Sequence, residues 1–244
     1  MNPSILSAEL RRLYRSPLTW FTFATIQLVM STYYLLLVLR YLEQGASLAS
    51  NGVTQEVLVP YFFTANLCVM LSAPLLTMSS IAEERRNGML RFLFSMPLSG
   101  ISMVTGKWLA VCCVGLGMVA LLICVPATLF WGASVDPGVF ASNALGLILF
   151  SGLQISLGLC ASALARTPTG AAFTALPIAA CLWLADWAAR IDGDGSLAGG
   201  VSTLTRLRSF LYGLLHTADI AYFVLFTLSL LGIAILAVNL ERDW

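Results

Sequence analysis

The densest run of ionisable side chains in this chain is Glu83-Glu84-Arg85-Arg86, and with Arg91 it places five charges within nine residues. A short apolar stretch follows, too short to cross a bilayer. Read as a helix, it puts Leu90, Leu93 and Phe94 on one face. Pro97 ends that helix, and Ser99 is placed to cap the next one, which leads to Gly106-Lys107-Trp108. A helix charged at one end and greasy along one side suits insertion into a groove on a cytosolic partner. An ordinary solvated loop with topology-setting charges fits the same composition, and the residues alone leave both readings open.

Other candidate chemistry is sparse. Gly100 to Gly106-Lys107-Trp108 has five intervening residues and a Trp where a phosphate loop has four and a Ser or Thr, so the chain has no nucleotide cradle of its own. His216 is the only histidine, and no GxSxG lies near it, so neither a Ser-His site nor a zinc site can be assembled around it; an interfacial hydrogen bond is the expectation. The six cysteines (Cys68, Cys112, Cys113, Cys124, Cys160 and Cys181) fall in apolar runs without CxxC spacing, as small core side chains would. Met70, Met78, Met96, Met103 and Met118 are too dispersed for a soft copper path. No catalytic residue and no metal ligand is therefore assigned. Asp186 and Asp219 are ionisable groups at the ends of apolar runs, where hydration and a structural or gating role are expected.

The elements that must carry these residues are set by composition. Of 244 residues, 59% are hydrophobic and only 10% charged, against about a quarter charged in a soluble domain. Mean hydropathy is +0.87. This excludes a cytosolic enzyme, a nucleic-acid-binding module and a secreted disulfide scaffold. The fold class is an all-α integral membrane bundle, one domain over 1–244. Its six spans are predicted near 18–39, 58–80, 108–131, 139–165, 168–188 and 219–240, each able to cross about 30 Å of hydrocarbon. Pro60 and Pro74 are placed to bend the second span. Asp136-Pro137-Gly138 and Arg166-Thr167-Pro168-Thr169 read as turns. With the N-terminus inside, nine basic residues face the cytoplasm and four (Arg40, Arg190, Arg206, Arg208) face outward, which puts both termini in the cytoplasm. No cleaved signal is expected, since the first apolar run, about 22 residues, exceeds a signal's core.

Two amphipathic segments flank the spans. In 3–16, Leu6, Leu10 and Leu13 fall at helical spacing, with Glu9, Arg11, Arg12 and Arg15 on other faces. This is consistent with an interfacial helix or with a simple basic flank. Near 201–215, Leu204, Leu207, Leu211, Leu214 and Leu215 form a stripe that predicts an outer-face interfacial or re-entrant helix, with Gly213 placed to let it bend. Gly152, Ser156 and Cys160 make a small-residue stripe suited to close helix packing.

Glu83-Glu84-Arg85-Arg86, Gly88, Leu93, Pro97-Leu98-Ser99 and Gly106-Lys107, in that order, resemble the signature of ABC-2 type permeases. Gly213-Leu214-Leu215, Asp219 and Tyr222-Phe223 give a second match, most similar to the gliding-motility-type branch. The chain departs from that branch at Met89 (usually Thr), at Arg91 (usually Glu) and at Leu207-Arg208-Ser209. The resemblance implies the membrane subunit of an ATP-driven exporter in the bacterial inner membrane. It further implies that 81–99 is a coupling helix and that Glu83, Glu84, Arg85, Arg86, Gly88, Leu90, Leu93 and Phe94 contact a separate cytosolic ABC ATPase. ATP and Mg would sit on that partner, with none bound here. A second permease subunit, identical or related, and membrane lipid complete the implied partners; nucleic acid is not among them. Two other classes stay open on the residues: an intramembrane enzyme built from His216, Asp186 and Asp219, and a scaffold that anchors an ATPase without moving cargo.

Overall fold

A computed structural model describes residues 3–44, 52–89, 100–192 and 202–242. Its elements are α1 (Pro3–Arg15), α2 (Pro17–Gln44), a π-helical turn (Thr54–Leu58) running into α3 (Val59–Thr77), α4 (Ala82–Arg86), α5 (Gly100–Ala127) with a 3₁₀ extension (Thr128–Trp131), α6 (Pro137–Leu164), α7 (Pro168–Asp192), α8 (Thr203–Leu211) and α9 (Thr217–Arg242). No strand occurs among the described residues, and six helices are long and apolar enough to cross a membrane. This is the expected all-α membrane class with the expected number of spans.

The helix starts follow local chemistry. Pro17, Pro137 and Pro168 each open a helix, where a missing N–H costs nothing. Asp136 caps α6 by accepting from the Gly138 N–H at 2.8 Å, and Thr167 Oγ1 accepts from the Gly170 N–H at 3.2 Å. The third span begins at Gly100, earlier than the apolar run at 108 suggests. In those earlier turns Thr105 Oγ1 donates to Ile101 O at 2.7 Å.

α6 is the hub. Its most apolar stretch is 72% buried, against 11% for α2 and 17% for α9, whose outer faces carry Phe21, Leu28, Leu225 and Leu236 exposed. Lipid is as apolar as leucine, so these spans gain little by burying greasy faces, and contact is set by shape. The close approaches are made at Gly158, where a Cβ would lie 2.1 Å from Thr77 Oγ1, and at Gly146, where it would meet Phe210 Cβ at 2.8 Å. The stripe expected to do this is only partly used. Ser156 and Cys160 are buried, but Gly152 borders open space. The cysteines also differ from expectation. Cys160 is buried, whereas Cys113, Cys124 and Cys181 are exposed on the apolar surface.

At the end of the bundle where α3 gives way to α5, α1 is a helix docked against the spans. Leu13 is buried, and Leu6 and Leu10 pack with it against Ala73, Leu76, Ala110 and Val114. At the opposite end, α8 lies across α6, α7 and α9, with Leu204, Leu207, Phe210 and Leu211 in the core.

Candidate functional site

α4 is a five-residue helix, too short to persist unaided, and three neighbours hold it. The Ser162 hydroxyl, near the end of α6, accepts from the Ile81 and Ala82 N–H groups at 3.1 Å each and donates to Met78 O at 3.0 Å. One side chain thus satisfies two donors at the start of α4 that no helical carbonyl can reach.

The second anchor is Lys107, from the second turn of α5. Its side chain is 3% exposed, and its ammonium donates to Ser80 O at 2.8 Å and to Glu84 Oε1 at 2.6 Å. Glu9 of α1 stands 3.5 Å from the same nitrogen and 2.8 Å from Arg12. A chain of alternating charge, Arg12–Glu9–Lys107–Glu84, therefore ties α1, α5 and α4 together. Glu9 is expected away from the face of Leu6, Leu10 and Leu13, and the structure corrects this. Leu6, Glu9 and Leu13 share one face at i, i+3, i+7 spacing, and Glu9 is buried among them. A lysine inside an apolar run that needs counter-charges was the signal that could have found the pair.

Arg85 is the third anchor. Its guanidinium bonds the Glu241 carboxylate near the end of α9, with Nε 3.1 Å from Oε2, and donates to Ala165 O and, at 2.7 Å, to Ala163 O. Those carbonyls are the unpaired end of α6, where a cation is also favoured by the helix dipole. The signature Glu-Glu-Arg-Arg therefore divides. Glu84 and Arg85 are engaged within the chain, while Arg86 is exposed and Glu83 half-buried. Gly88, at φ +72°, takes the left-handed conformation that ends α4, and Asn87, Gly88 and Met89 are exposed. The expected apolar contact residues Leu90, Leu93 and Phe94 lie outside the described residues.

At the other end of the bundle, Asp186 and Asp219 are not hydrated as expected. They are 6% and 3% exposed. Asp186 pairs with Arg208 at 3.1 Å and accepts from Thr205 Oγ1 at 2.8 Å, while Asp219 pairs with Arg206 at 3.0 Å. A buried carboxylate needs such partners, and both arginines come from α8, which is thereby clamped to α7 and α9. Gly213, at φ +81°, ends α8 rather than bending it. Leu214 N–H donates to Ser209 O and Gly213 N–H to Phe210 O, a Schellman closure that leaves Leu214 and Leu215 beyond the helix and exposed. Ser142 and Asn143 of α6, unremarked in the sequence, donate to Phe210 O and Leu211 O at 3.0 and 3.2 Å. His216 is exposed, and it is its backbone carbonyl that accepts, from the Asp219 N–H. With both aspartates committed to arginines and the imidazole turned out, these three residues do not converge on a reacting centre.

A family model described as ABC-2 family transporter protein matches residues 4–187, which include α1 through α6, the anchors of α4 except Glu241, and most of α7. No curated protein matches the sequence.

Proposed function

The chain belongs to the ABC-2 transporter family, and from that premise we propose that it is a permease subunit driven through α4 by a separate cytosolic ABC ATPase, working as an exporter. In this reading α4 and both termini face the cytoplasm of a bacterium, and the spans sit in the inner membrane. ATP and Mg belong to the partner, and two permease subunits, identical or related, form the transport path.

The observation that supports the reading is mechanical. α4 is bonded to the ends of α6 and α9 through Ser162 and Arg85, and to α1 and α5 through Lys107. A displacement at α4 therefore reaches four long or docked helices at once. A two-state bundle responds to such a bias by shifting population between its forms. Arg86, Asn87, Gly88 and Met89 are the exposed part of the segment, left for a partner, with the half-buried Glu83 and with Leu90, Leu93 and Phe94 assigned to the same contact by the family signature.

Co-purification with the ATPase tests this, and the structure separates two classes of variant. Glu83→Ala with Arg86→Ala is expected to weaken ATPase association while leaving the thermal midpoint of the isolated permease unchanged. Glu84→Ala is expected to lower that midpoint. Unchanged ATPase binding in the Glu83/Arg86 variant would remove the role assigned to this surface.

A further inference from the structure

On the outer surface of a span a hydroxyl can be satisfied by its own helix. Thr174 of α7 donates to Gly170 O at 3.0 Å, Ser229 of α9 to Phe226 O at 2.8 Å, and Thr32 of α2 to Leu28 O at 2.9 Å. Gln27 and Ser31 of α2 are not satisfied in this way. Their one side-chain bond among the described residues runs from Gln27 Nε2 to Ser31 Oγ at 3.5 Å, long for such a bond. It leaves the amide oxygen, the second amide hydrogen and the Ser31 hydroxyl hydrogen without partners. Gln27 is half-buried and Ser31 exposed. At the helical rise they stand about 15 and 21 Å along a helix of 28 residues, so both lie at hydrocarbon depth, where no water can serve them.

The residues around them form a seam. Phe21, Ala24, Leu28, Ser31 and Leu35 are exposed and succeed one another at steps of three and four, and Leu42 follows one heptad on. This is the period of two helices wound about each other. The contact with Ser31 Oγ carries the Gln27 amide towards the seam. Its apolar members are as well placed in lipid as against protein and do not choose between them. The unpaired amide and hydroxyl do choose, because leaving them in hydrocarbon is costly. We propose that α2 pairs along this seam with α2 of a second copy of the chain, in parallel, about a twofold axis normal to the membrane. The inference rests on the paired-permease reading and adds the surface to it. A twofold axis sets each residue near its own equivalent, so the polar set must complement itself. Gln27 and Ser31 do: the Ser31 hydroxyl of one copy donates to the Gln27 amide oxygen of the other, and symmetry repeats the bond. Ala24, one turn away, lets the backbones approach.

The permease, purified without the ATPase and carrying one fluorophore per chain, can be diluted into vesicles and its copies counted by photobleaching steps. Two steps are expected. Gln27→Leu with Ser31→Ala is expected to raise the dimer dissociation constant roughly tenfold, the combined strength of two symmetry-related bonds between spans, and Ser229→Ala on α9 to leave it unchanged. With the native cysteines replaced, Ala24→Cys, Leu28→Cys and Leu35→Cys should form intermolecular disulfides under an oxidant. Phe173→Cys on α7 and Leu225→Cys on α9, both at exposed positions, should not. Disulfides at α7 or α9 in place of α2 overturn this surface and leave the paired-permease reading standing. A single bleaching step at every protein density overturns the pairing of identical copies and leaves a related permease as the second subunit. Modification of Gln27→Cys by a membrane-impermeant thiol reagent overturns the seam as well, since the amide would then line a water-filled path.

Discussion

Lys107 shows how much depends on one ammonium. Its two carboxylate neighbours are both largely buried, and removing the cation leaves Glu9 with Arg12 but strands Glu84. Breaking a buried pair from one side costs about 3–5 kcal/mol, mostly because the surviving charge is stranded. Lys107→Met is therefore expected to lower the thermal midpoint in detergent sharply, and Lys107→Met with Glu84→Gln to be less destabilised than the two single changes summed. Additivity in that cycle would mean that the two side chains are not coupled. The neighbouring arginines make the contrast. Arg85 is held by a carboxylate and two helix-end carbonyls, whereas Arg86 is exposed, though the two are adjacent and of one type. Sequence could nominate the four charges and could not divide them, because the division depends on where α6 and α9 end. Glu9 was missed for a different reason. A charged residue on an apolar helical face was assigned by its type, when its position at i+3 from Leu6 already placed it inward.

At the scale of the element, spans were the easy part. A helix in lipid must satisfy its own backbone, so length and apolar content fix its existence. Helix ends were harder, because polar side chains such as Thr105 and Lys107 extend α5 beyond its greasy run. The interior prolines carry a further consequence that composition does not reveal. Pro126 of α5 has no N–H to give Leu122 O, and the Tyr61 hydroxyl of α3 donates to that carbonyl instead, at 2.8 Å. Tyr61→Phe leaves the carbonyl buried and unpaired, at about 1–3 kcal/mol. Pro126→Ala restores the missing donor, so the double variant is expected to recover most of the stability lost by Tyr61→Phe. Thermal unfolding of the three proteins decides it, and a Tyr61→Phe loss that Pro126→Ala does not relieve would reassign the hydroxyl's role to packing. Gly213 belongs here too. The leucine stripe around it looked continuous to Leu215, and only the left-handed turn explains why its last two members fall outside α8.

Across the whole molecule, α6 joins the two ends. Near its C-terminus, Ser162 and the Ala163 and Ala165 carbonyls hold α4. Near its N-terminus, Ser142, Asn143 and Gly146 hold α8. Its 28 residues span about 42 Å at the α-helical rise, so α4 and α8 occupy opposite faces of a bilayer-sized bundle. The positive-inside count, nine against four, is weakened by Arg190, Arg206 and Arg208, three of the four outside charges, which lie between the fifth and sixth spans. Arg206 and Arg208 pair with buried aspartates, which weakens them as topological signals, whereas Arg86 at the α4 end is exposed and makes no ion pair among the described residues. The orientation can be read directly. Met89 and Tyr212 are each exposed, one at each end. In a background with the six native cysteines replaced, Met89→Cys and Tyr212→Cys can be challenged in intact cells with a membrane-impermeant thiol reagent. With α4 cytoplasmic, Tyr212→Cys is modified and Met89→Cys reacts only after the membrane is opened. The reverse pattern would put α4 beyond the reach of any cytosolic ATPase, and the coupling role would fail whatever the strength of its anchors.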